Sequence, residues 1–164
     1  MQEAKLEHDF PFDFETLIQI REDRYDHVDF FKTFSSTRKL SEKEEGGLRM
    51  RTYRLMMRSG LPMFAQKLLQ DGEGISVFET TVYDPKKRTY RAEAVLSLMN
   101  TAIGFKESSV YFPDGDKSHR TIEIVTNVKV PVIGSTVEKI IVREFHKESQ
   151  LDFDRIMAWQ KKMK

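Results

Sequence analysis

The longest hydrophobic pattern in the chain comes last. Residues 134–163 contain no proline and place apolar side chains along one side of a helix that turns about 100° per residue. Ser135 or Thr136 is expected to cap its start, with Glu138 completing a capping box. The pattern predicts a long amphipathic helix with one face to bury. The apolar residues on or beside this face are Ile133, Val137, Ile140, Ile141, Phe145, Leu151, Ile156 and Trp159.

Three acidic residues interrupt the apolar face of this helix. Glu148 and Asp152 project into it, and Glu144 lies beside it. Like charges at i, i+4 and i+8 repel one another on a helix, so their position needs an explanation. One explanation is local pairing with Arg155, and another is that the far half of the helix extends into water. The third is that the face lines a cavity, in which the acids meet a ligand or a partner charge.

Shorter patterns precede the long helix. Residues 5–12 alternate as a strand, Asp13 caps a short helix over residues 14–22, and a second helical segment covers about residues 25–34. Strand candidates then follow one another, separated by turn signals such as Gly46-Gly47. These candidates are residues 36–44, 48–58, 75–83, 89–99, 102–112 and 120–130.

This order of elements predicts an α+β fold over a single domain, residues 1–164. A curved antiparallel β-sheet of about six meandering strands is expected to wrap around the long C-terminal α-helix. A strongly curved sheet closed by one helix need not fill its middle with side chains. The fold therefore predicts a concave apolar pocket, which is where small ligands usually bind.

Strand alternation assigns the residues of this pocket. In residues 48–58 the set that contains Arg54 is taken as inward, because the other set begins with two arginines. A buried guanidinium cannot lose its charge, so Arg54 is expected to meet Glu148, Asp152 or an anionic ligand headgroup. Residues 89–99 turn two alanines inward, which leaves room for a ligand. The predicted ligand-binding pocket is lined by Met50, Arg54, Met56, Ala92, Ala94, Leu96, Ile124, Val128, Ile141, Phe145, Glu148 and Asp152.

Composition excludes several classes of function. The chain has 27 basic and 26 acidic residues and a net charge of +1, which does not suggest a nucleic-acid-binding surface. It has no cysteine, and its four histidines are scattered, so we expect no metal site and no cofactor. The N-terminal residues do not resemble a signal peptide, and no apolar run approaches the ~18 residues of a membrane span. We expect a soluble, cytoplasmic protein, and nothing in the sequence indicates its oligomeric state.

Two strand acids are the candidates for catalysis. If Glu79 and Glu107 project into an apolar pocket, burial would raise their pKa and either could act as a general acid. If the strands turn them outward, they are ordinary surface acids, and strand register cannot be fixed to one residue from the sequence. The chain contains no nucleophile elbow and no phosphate-binding loop. No catalytic residue is therefore assigned.

Several short motifs match known families. One set comprises Gly47-Leu48, Arg54-Leu55, Ser59-Gly60-Leu61-Pro62, Lys67-Leu68-Leu69, Val82-Tyr83-Asp84-Pro85 and Lys106-Glu107-Ser108-Ser109-Val110-Tyr111. It resembles motifs of PRELI-like phospholipid transfer proteins. Another set comprises Val128-Lys129-Val130-Pro131-Val132-Ile133-Gly134, Val137-Glu138-Lys139-Ile140 and Trp159. It resembles an uncharacterised bacterial START-like family. Both belong to the START-like (SRPBCC) superfamily, whose helix-grip fold has the order of elements predicted above.

The resemblance implies a hydrophobic ligand, either a small molecule or a lipid, in a pocket under the long helix. We therefore expect a protein that binds such a ligand, or carries it, without catalysis. The alternatives are a polyketide cyclase- or dehydratase-like enzyme and a ligand-sensing module that binds a partner protein. The entrance is expected at an apolar loop that gates the pocket and contacts a membrane surface transiently, or that simply plugs the core. The residues of this loop are Pro62, Met63, Phe64, Leu68 and Leu69.

Overall fold

The structure, a computed structural model, describes residues 1–57, 75–98 and 102–164. The strands within these residues are β1 (Gln2–Phe10), β2 (Phe34–Glu45), β3 (Leu48–Met57), β4 (Ile75–Asp84), β5 (Thr89–Leu98), β6 (Ile103–Asp114) and β7 (Lys117–Val128). The helices are α1 (Phe14–Asp23), α2 (Val28–Phe31) and α3 (Gly134–Lys162).

The strands of the described residues form one antiparallel sheet in the order β1-β7-β6-β5-β4-β3-β2. Strands β2 to β7 form a meander, whereas β1 pairs with β7 at the opposite edge, from Gln2 with Thr126 to Phe10 with Ser118. The helices α1 and α2 connect the two edges, and α3 packs on the inner face of the curved sheet. The predicted α+β fold, a curved antiparallel sheet with a long C-terminal helix, is confirmed.

The helix-capping signals in the sequence were correct for α1 and wrong for α3. Asp13 caps α1 as predicted, and its Oδ1 accepts a hydrogen bond from the Thr16 N–H at 2.7 Å. The predicted serine or threonine cap of α3 does not form, because Ile133 occupies the N-cap position without a side-chain hydrogen bond. Glu138 instead accepts a hydrogen bond from the N–H of Val128 at 3.1 Å, which ties the first turn of α3 to the end of β7.

Strand β3 faces the opposite way from the prediction. Tyr53 and Leu55 are buried, whereas Arg54 is exposed and donates from Nε to Ser76 Oγ at 3.1 Å. Met50 and Met56 share the alternation of Arg54 and therefore also lie on the outer face. The predicted contact of Arg54 with Glu148 or Asp152 is wrong.

The physical reason is a salt bridge that links distant parts of the chain. The inward set of β3 begins with Arg49 and Arg51, which pair with Glu22 near the end of α1 at 2.6 Å and 3.1 Å. The two arginines that suggested an outward face are thus neutralised on the inner face. Strand β5 alternates as predicted, with Tyr90 and Ala92 buried.

Among the described residues, the largest cluster of buried hydrophobic side chains lies beneath the C-terminal half of α3. A cluster of buried, mostly aromatic side chains lies there, and we call it the packed end. Its residues are Phe10, Phe12, Phe14, Leu17, Ile18, Ile20, Phe31, Tyr90, Ala92, Tyr111 and Ile156. Phe153 and Trp159 of α3 cover this cluster from the helix side. None of the helices in the described ranges is long and apolar enough to span a membrane.

Candidate functional site

A cavity of about 100 Å³ lies between the sheet, the C-terminal end of α1 and the middle of α3. Its apolar wall consists of Phe34, Met57, Val77, Ala94, Phe105, Ile122 and Phe145. A second cavity of about 70 Å³ lies beside it, and both cavities are lined by Met57, Phe105, Glu107, Phe145 and Glu148. We call this region the cavity end. It contains space that the side chains of the described residues leave unfilled.

The structure places some of the predicted pocket residues around this space and others elsewhere. Ala94, Ile124, Ile141, Phe145, Glu148 and Asp152 line one or both cavities. Ala92 and Leu96 lie on the same face but are buried in the core, and Val128 lies at the end of β7, where its N–H donates to Glu138 in the first turns of α3. Met50, Arg54 and Met56 are on the outer face. The entrance-loop residues Pro62, Met63, Phe64, Leu68 and Leu69 lie outside the described residues.

The cavity differs from the predicted apolar pocket in one respect: much of its wall is charged. Among the described residues, three arginines and four acids line it, namely Arg21, Arg24, Arg120, Glu79, Glu107, Glu148 and Asp152. A buried charge is costly unless it is paired and hydrogen-bonded. The partners of each group therefore decide what the site can do.

Asp152 is the best-paired acid of the site. Arg24 of α1 donates from Nη2 to Asp152 Oδ1 at 2.6 Å, and Arg120 of β7 donates from Nη1 to Oδ2 at 2.5 Å. Burial alone would raise the pKa of this carboxyl, but the two guanidiniums outweigh burial and lower the pKa to about 2. Asp152 is therefore ionised at neutral pH, and its partners are these two arginines rather than Arg155 or Arg54.

A second ion pair lies deeper, against the aromatic cluster. Arg21 donates from Nη2 to Glu79 Oε1 at 3.0 Å, from Nη1 to the Tyr25 hydroxyl at 2.8 Å and from Nε to the Tyr111 hydroxyl at 3.0 Å. The Tyr25 hydroxyl in turn donates to Glu79. All three nitrogens of this guanidinium have partners, so the pair belongs to the framework of the site.

Glu107 differs from Asp152 and Glu79 in its surroundings. It makes no hydrogen bond or ion pair with any described residue, and its cross-strand neighbours are Ala94 and Ile124. Burial raises the pKa of Glu107 to about 7, and the carboxylates of Glu79 and Asp152 add to this effect against the opposing arginines. Near neutral pH this carboxyl can therefore either donate or accept a proton.

Among the described residues of the cavity wall, Arg24 and Arg120 each have a buried Nε without a hydrogen-bond partner. Within the described ranges, Arg24 makes a single hydrogen bond, to Asp152. The hydroxyls of Ser109 and Ser149 are buried at the cavity wall. The site thus offers hydrogen-bond donors and acceptors beside an apolar surface. No group of three or more His, Asp or Glu side chains in the described part of the chain could hold a metal ion.

The sequence analysis missed the three arginines of the site, although weak signals were present. Arg21 and Arg24 lie four and seven residues after the buried Leu17, on the inward face of α1. Arg120 shares its alternation with the buried Ile122 of β7. An arginine at an apolar position of a helix or strand indicates a buried ion pair, but the pattern does not identify the partner.

A family model described as a protein of unknown function (DUF2505) matches residues 5–159. A search of the curated proteins gives no match. The finer resemblances, to PRELI-like proteins and to a bacterial START-like family, are not among these findings and stay predictions.

Solved structures share the fold at low sequence identity. The Zhui aromatase/cyclase from Streptomyces sp. R1128 has a TM-score of 0.66 and 11% identity, covering 98% of this chain and 93% of that chain. A START superfamily protein from Mycobacterium smegmatis has a TM-score of 0.56 and 17% identity, with coverages of 96% and 98%. Norcoclaurine synthase from Thalictrum flavum, in complex with dopamine and hydroxybenzaldehyde, has a TM-score of 0.60 and 12% identity, with coverages of 99% and 88%. At these identities the likeness shows the START-like helix-grip fold alone.

Proposed function

Because the chain belongs to the DUF2505 family, whose description names no activity, we propose a function from the site itself: the protein binds a small, mainly apolar ligand at the cavity end. The observation that carries this proposal is a space with an apolar wall between the sheet and α3, which the described side chains leave unfilled. Protein interiors are normally close-packed, and an internal cavity costs stability. A ligand that fills the space would recover that cost.

The size of the cavity limits the ligand. An engineered apolar cavity of ~150 Å³ in another protein holds benzene, so about 100 Å³ suits a group of similar or smaller size, such as one aromatic ring. The neighbouring cavity of about 70 Å³ extends this space toward Ile124 and Ile141. Within the described residues, a lipid could place only a short acyl segment here. We therefore favour a single-ring or short-chain ligand over a two-chain phospholipid.

Native mass spectrometry of the protein purified from its host tests this proposal. The expected result is a mass excess that organic extraction removes and that corresponds to a small apolar compound. Ala94→Leu, which adds three carbons at the cavity wall, should abolish the excess, because it occupies part of the binding space. The matched control is Ala158→Leu at an exposed position of α3, which should retain the ligand. A protein without bound compound that takes up no apolar probe would contradict the proposal.

One observation favours a second function, an enzyme of the cyclase or dehydratase type. Glu107 faces the cavity without a partner among the described residues, and burial raises its pKa to about 7, which suits a general acid–base group at neutral pH. Two of the structural neighbours are described as an aromatase/cyclase and a synthase, which supports the hypothesis only by analogy.

Comparing the bound compounds separates the two functions. If Glu107 is a catalytic residue, Glu107→Gln purified from the host should retain a substrate that differs in mass from the compound bound to the unmodified protein. If the protein only binds its ligand, both proteins should carry the same compound. Identical compounds would remove the enzyme hypothesis.

A further inference from the structure

The polar side of the cavity includes a carboxyl, Glu107, and a guanidinium, Arg24, whose hydrogen-bonding capacity the rest of the described chain does not fill. Glu107 has no hydrogen-bond partner there, and Arg24 has one, Asp152. Both side chains line the 100 Å³ cavity together with the hydroxyls of Ser109 and Ser149. Arg24 is also nine-tenths buried, and its Nε has no partner. A buried donor without an acceptor costs free energy unless a ligand supplies one.

The two ion-pair networks of the cavity wall hold more positive than negative charge. Arg21, Arg24 and Arg120 contribute three positive charges, whereas Glu79 and Asp152 contribute two negative charges through the ion pairs described above. One further negative charge would balance the arginines of these networks. Glu107 and Glu148, the other two described acids of the cavity wall, can supply it in the empty protein, but a bound anion can supply it equally well.

We propose that the ligand is a small apolar monocarboxylate, whose carboxylate binds between Arg24 and a protonated Glu107. Glu107 takes up one proton from solvent as the anion enters, so the total charge of the site stays the same. The apolar body of the ligand then lies against Phe105 and Phe145. This inference rests on the proposed binding function and specifies the chemical class of the ligand.

The other charged groups near Glu107 explain why the proton goes there. The groups that face it are Arg24 on α1, Glu79 on β4, Arg120 on β7, and Glu144, Glu148 and Asp152 on α3. Asp152 is held ionised by its two arginines, and Glu79 is engaged by Arg21 and Tyr25. Glu144 and Glu148 lie on the helix and are half-buried. Glu107 is the group at the cavity whose pKa, about 7, allows protonation at neutral pH.

Isothermal titration calorimetry with matched acids and amides tests the inference. The probes are phenylacetate and octanoate, with phenylacetamide and octanamide as neutral counterparts. The acids should bind more tightly than the amides, and their affinity should fall about tenfold from pH 6 to pH 8, as ionisation of Glu107 opposes a second negative charge. At pH 8, titrations in two buffers with different ionisation enthalpies should show uptake of nearly one proton.

Two variants test whether Glu107 is the group that causes the pH dependence of binding. Glu107→Gln should still bind phenylacetate, but its affinity should be the same at pH 6 and pH 8, and binding should take up no proton. The control is Glu93→Gln on the outer face of the neighbouring strand, where Glu93 pairs with Lys106 at 3.0 Å. This control should retain the full pH dependence of the unmodified protein.

The possible outcomes distinguish a wrong class of ligand from the absence of a binding site. Amides that bind as tightly as the acids, or acid affinity that is independent of pH in the unmodified protein, would overturn the monocarboxylate inference and leave the binding function standing. Failure of all four probes also overturns the inference. If, in addition, the protein from its host carries no compound, the proposed function fails with it.

Discussion

The packed end and the cavity end lie beneath the same helix and against the same sheet, yet they are filled differently. At the packed end, Ile156 is fully buried among aromatic rings. At the cavity end, Ile141 and Phe145 face space that no described side chain occupies. Close packing stabilises a fold, whereas unfilled space weakens it. The comparison indicates that the packed end contributes more to stability than the cavity end, where we propose that a ligand binds.

Two carboxyls of the cavity wall differ in their ion-pair partners and therefore in their pKa. Asp152 is held by Arg24 and Arg120 and has a pKa of about 2, whereas Glu107 has no hydrogen-bond partner among the described residues and a pKa of about 7. Both line the cavity, Asp152 as a buried side chain and Glu107 as a half-buried one. The difference shows that partners, rather than burial alone, decide which acid is structural and which can respond to a ligand.

The largest expected effect on stability concerns Asp152, the acid that two arginines hold. Asp152→Asn leaves the buried guanidiniums of Arg24 and Arg120 without a countercharge, which should lower the free energy of unfolding by about 3–5 kcal/mol at pH 7. Urea denaturation measures this loss. Asp154→Asn, two residues further on an exposed position of the helix, should change stability by less than about 0.5 kcal/mol. Equal effects of the two variants would mean that the ion pairs contribute little.

The next effect compares two isoleucines of α3. Ile156→Ala removes a fully buried side chain from the packed end and should cost about 2–5 kcal/mol of unfolding free energy. Ile141→Ala enlarges a space that already exists and should cost roughly 1 kcal/mol, because the half-buried side chain makes fewer contacts. Denaturation curves of both variants give the comparison. A larger loss of unfolding free energy in Ile141→Ala than in Ile156→Ala would contradict this comparison of the two ends.

The third effect depends on pH. The pKa of Glu107 is raised in the folded state from an ordinary 4.5 to about 7, so the unfolded chain loses this proton at lower pH than the folded protein does. The contribution of Glu107 to stability therefore falls as the pH rises from about 4.5 to about 7, by roughly 3 kcal/mol in total.

Glu107→Gln tests this pH dependence, because glutamine does not titrate. The variant should be more stable than the unmodified protein at pH 8 and of similar stability at pH 4. Denaturation at the two pH values measures the difference, with Glu93→Gln as the exposed control. A variant that is less stable at pH 8 would show that ionised Glu107 has a stabilising partner.

The smallest effect concerns the outer face. Arg54 is exposed, and its Nε donates to Ser76, so Arg54→Met should change the unfolding free energy by no more than about 0.5 kcal/mol. Ligand binding should also be unchanged. Melting temperature and phenylacetate titration on one sample check both expectations. A large loss of either property would place Arg54 at the site after all.

The sequence predicts the fold where the pattern is local. The alternation of β5 and β7 and the helical spacing of α3 place the correct residues on the inner face, because burial follows the period of each element. The same logic fails in β3, where Arg49 and Arg51 are inward. Their partner Glu22 lies 27 and 29 residues away, so no local pattern reveals the compensation.

The charged half of the site is harder to predict for the same reason. Arg24 and Asp152 are separated by 128 residues, and their contact depends on how α1 and α3 pack on the sheet. The sequence indicated that Asp152 projects into an apolar face, and it left the direction of Glu107 open. Only the register of β6 against its neighbours shows that Glu107 reaches the cavity.

A crystal structure of the protein grown with phenylacetate would test the central claim most directly. The account predicts density for the ring beneath the middle of α3, between Phe105 and Phe145. The carboxylate should lie within about 3 Å of the Arg24 guanidinium and of the Glu107 carboxyl. A cavity that holds only water at saturating phenylacetate, or a ring bound elsewhere on the molecule, would contradict the account.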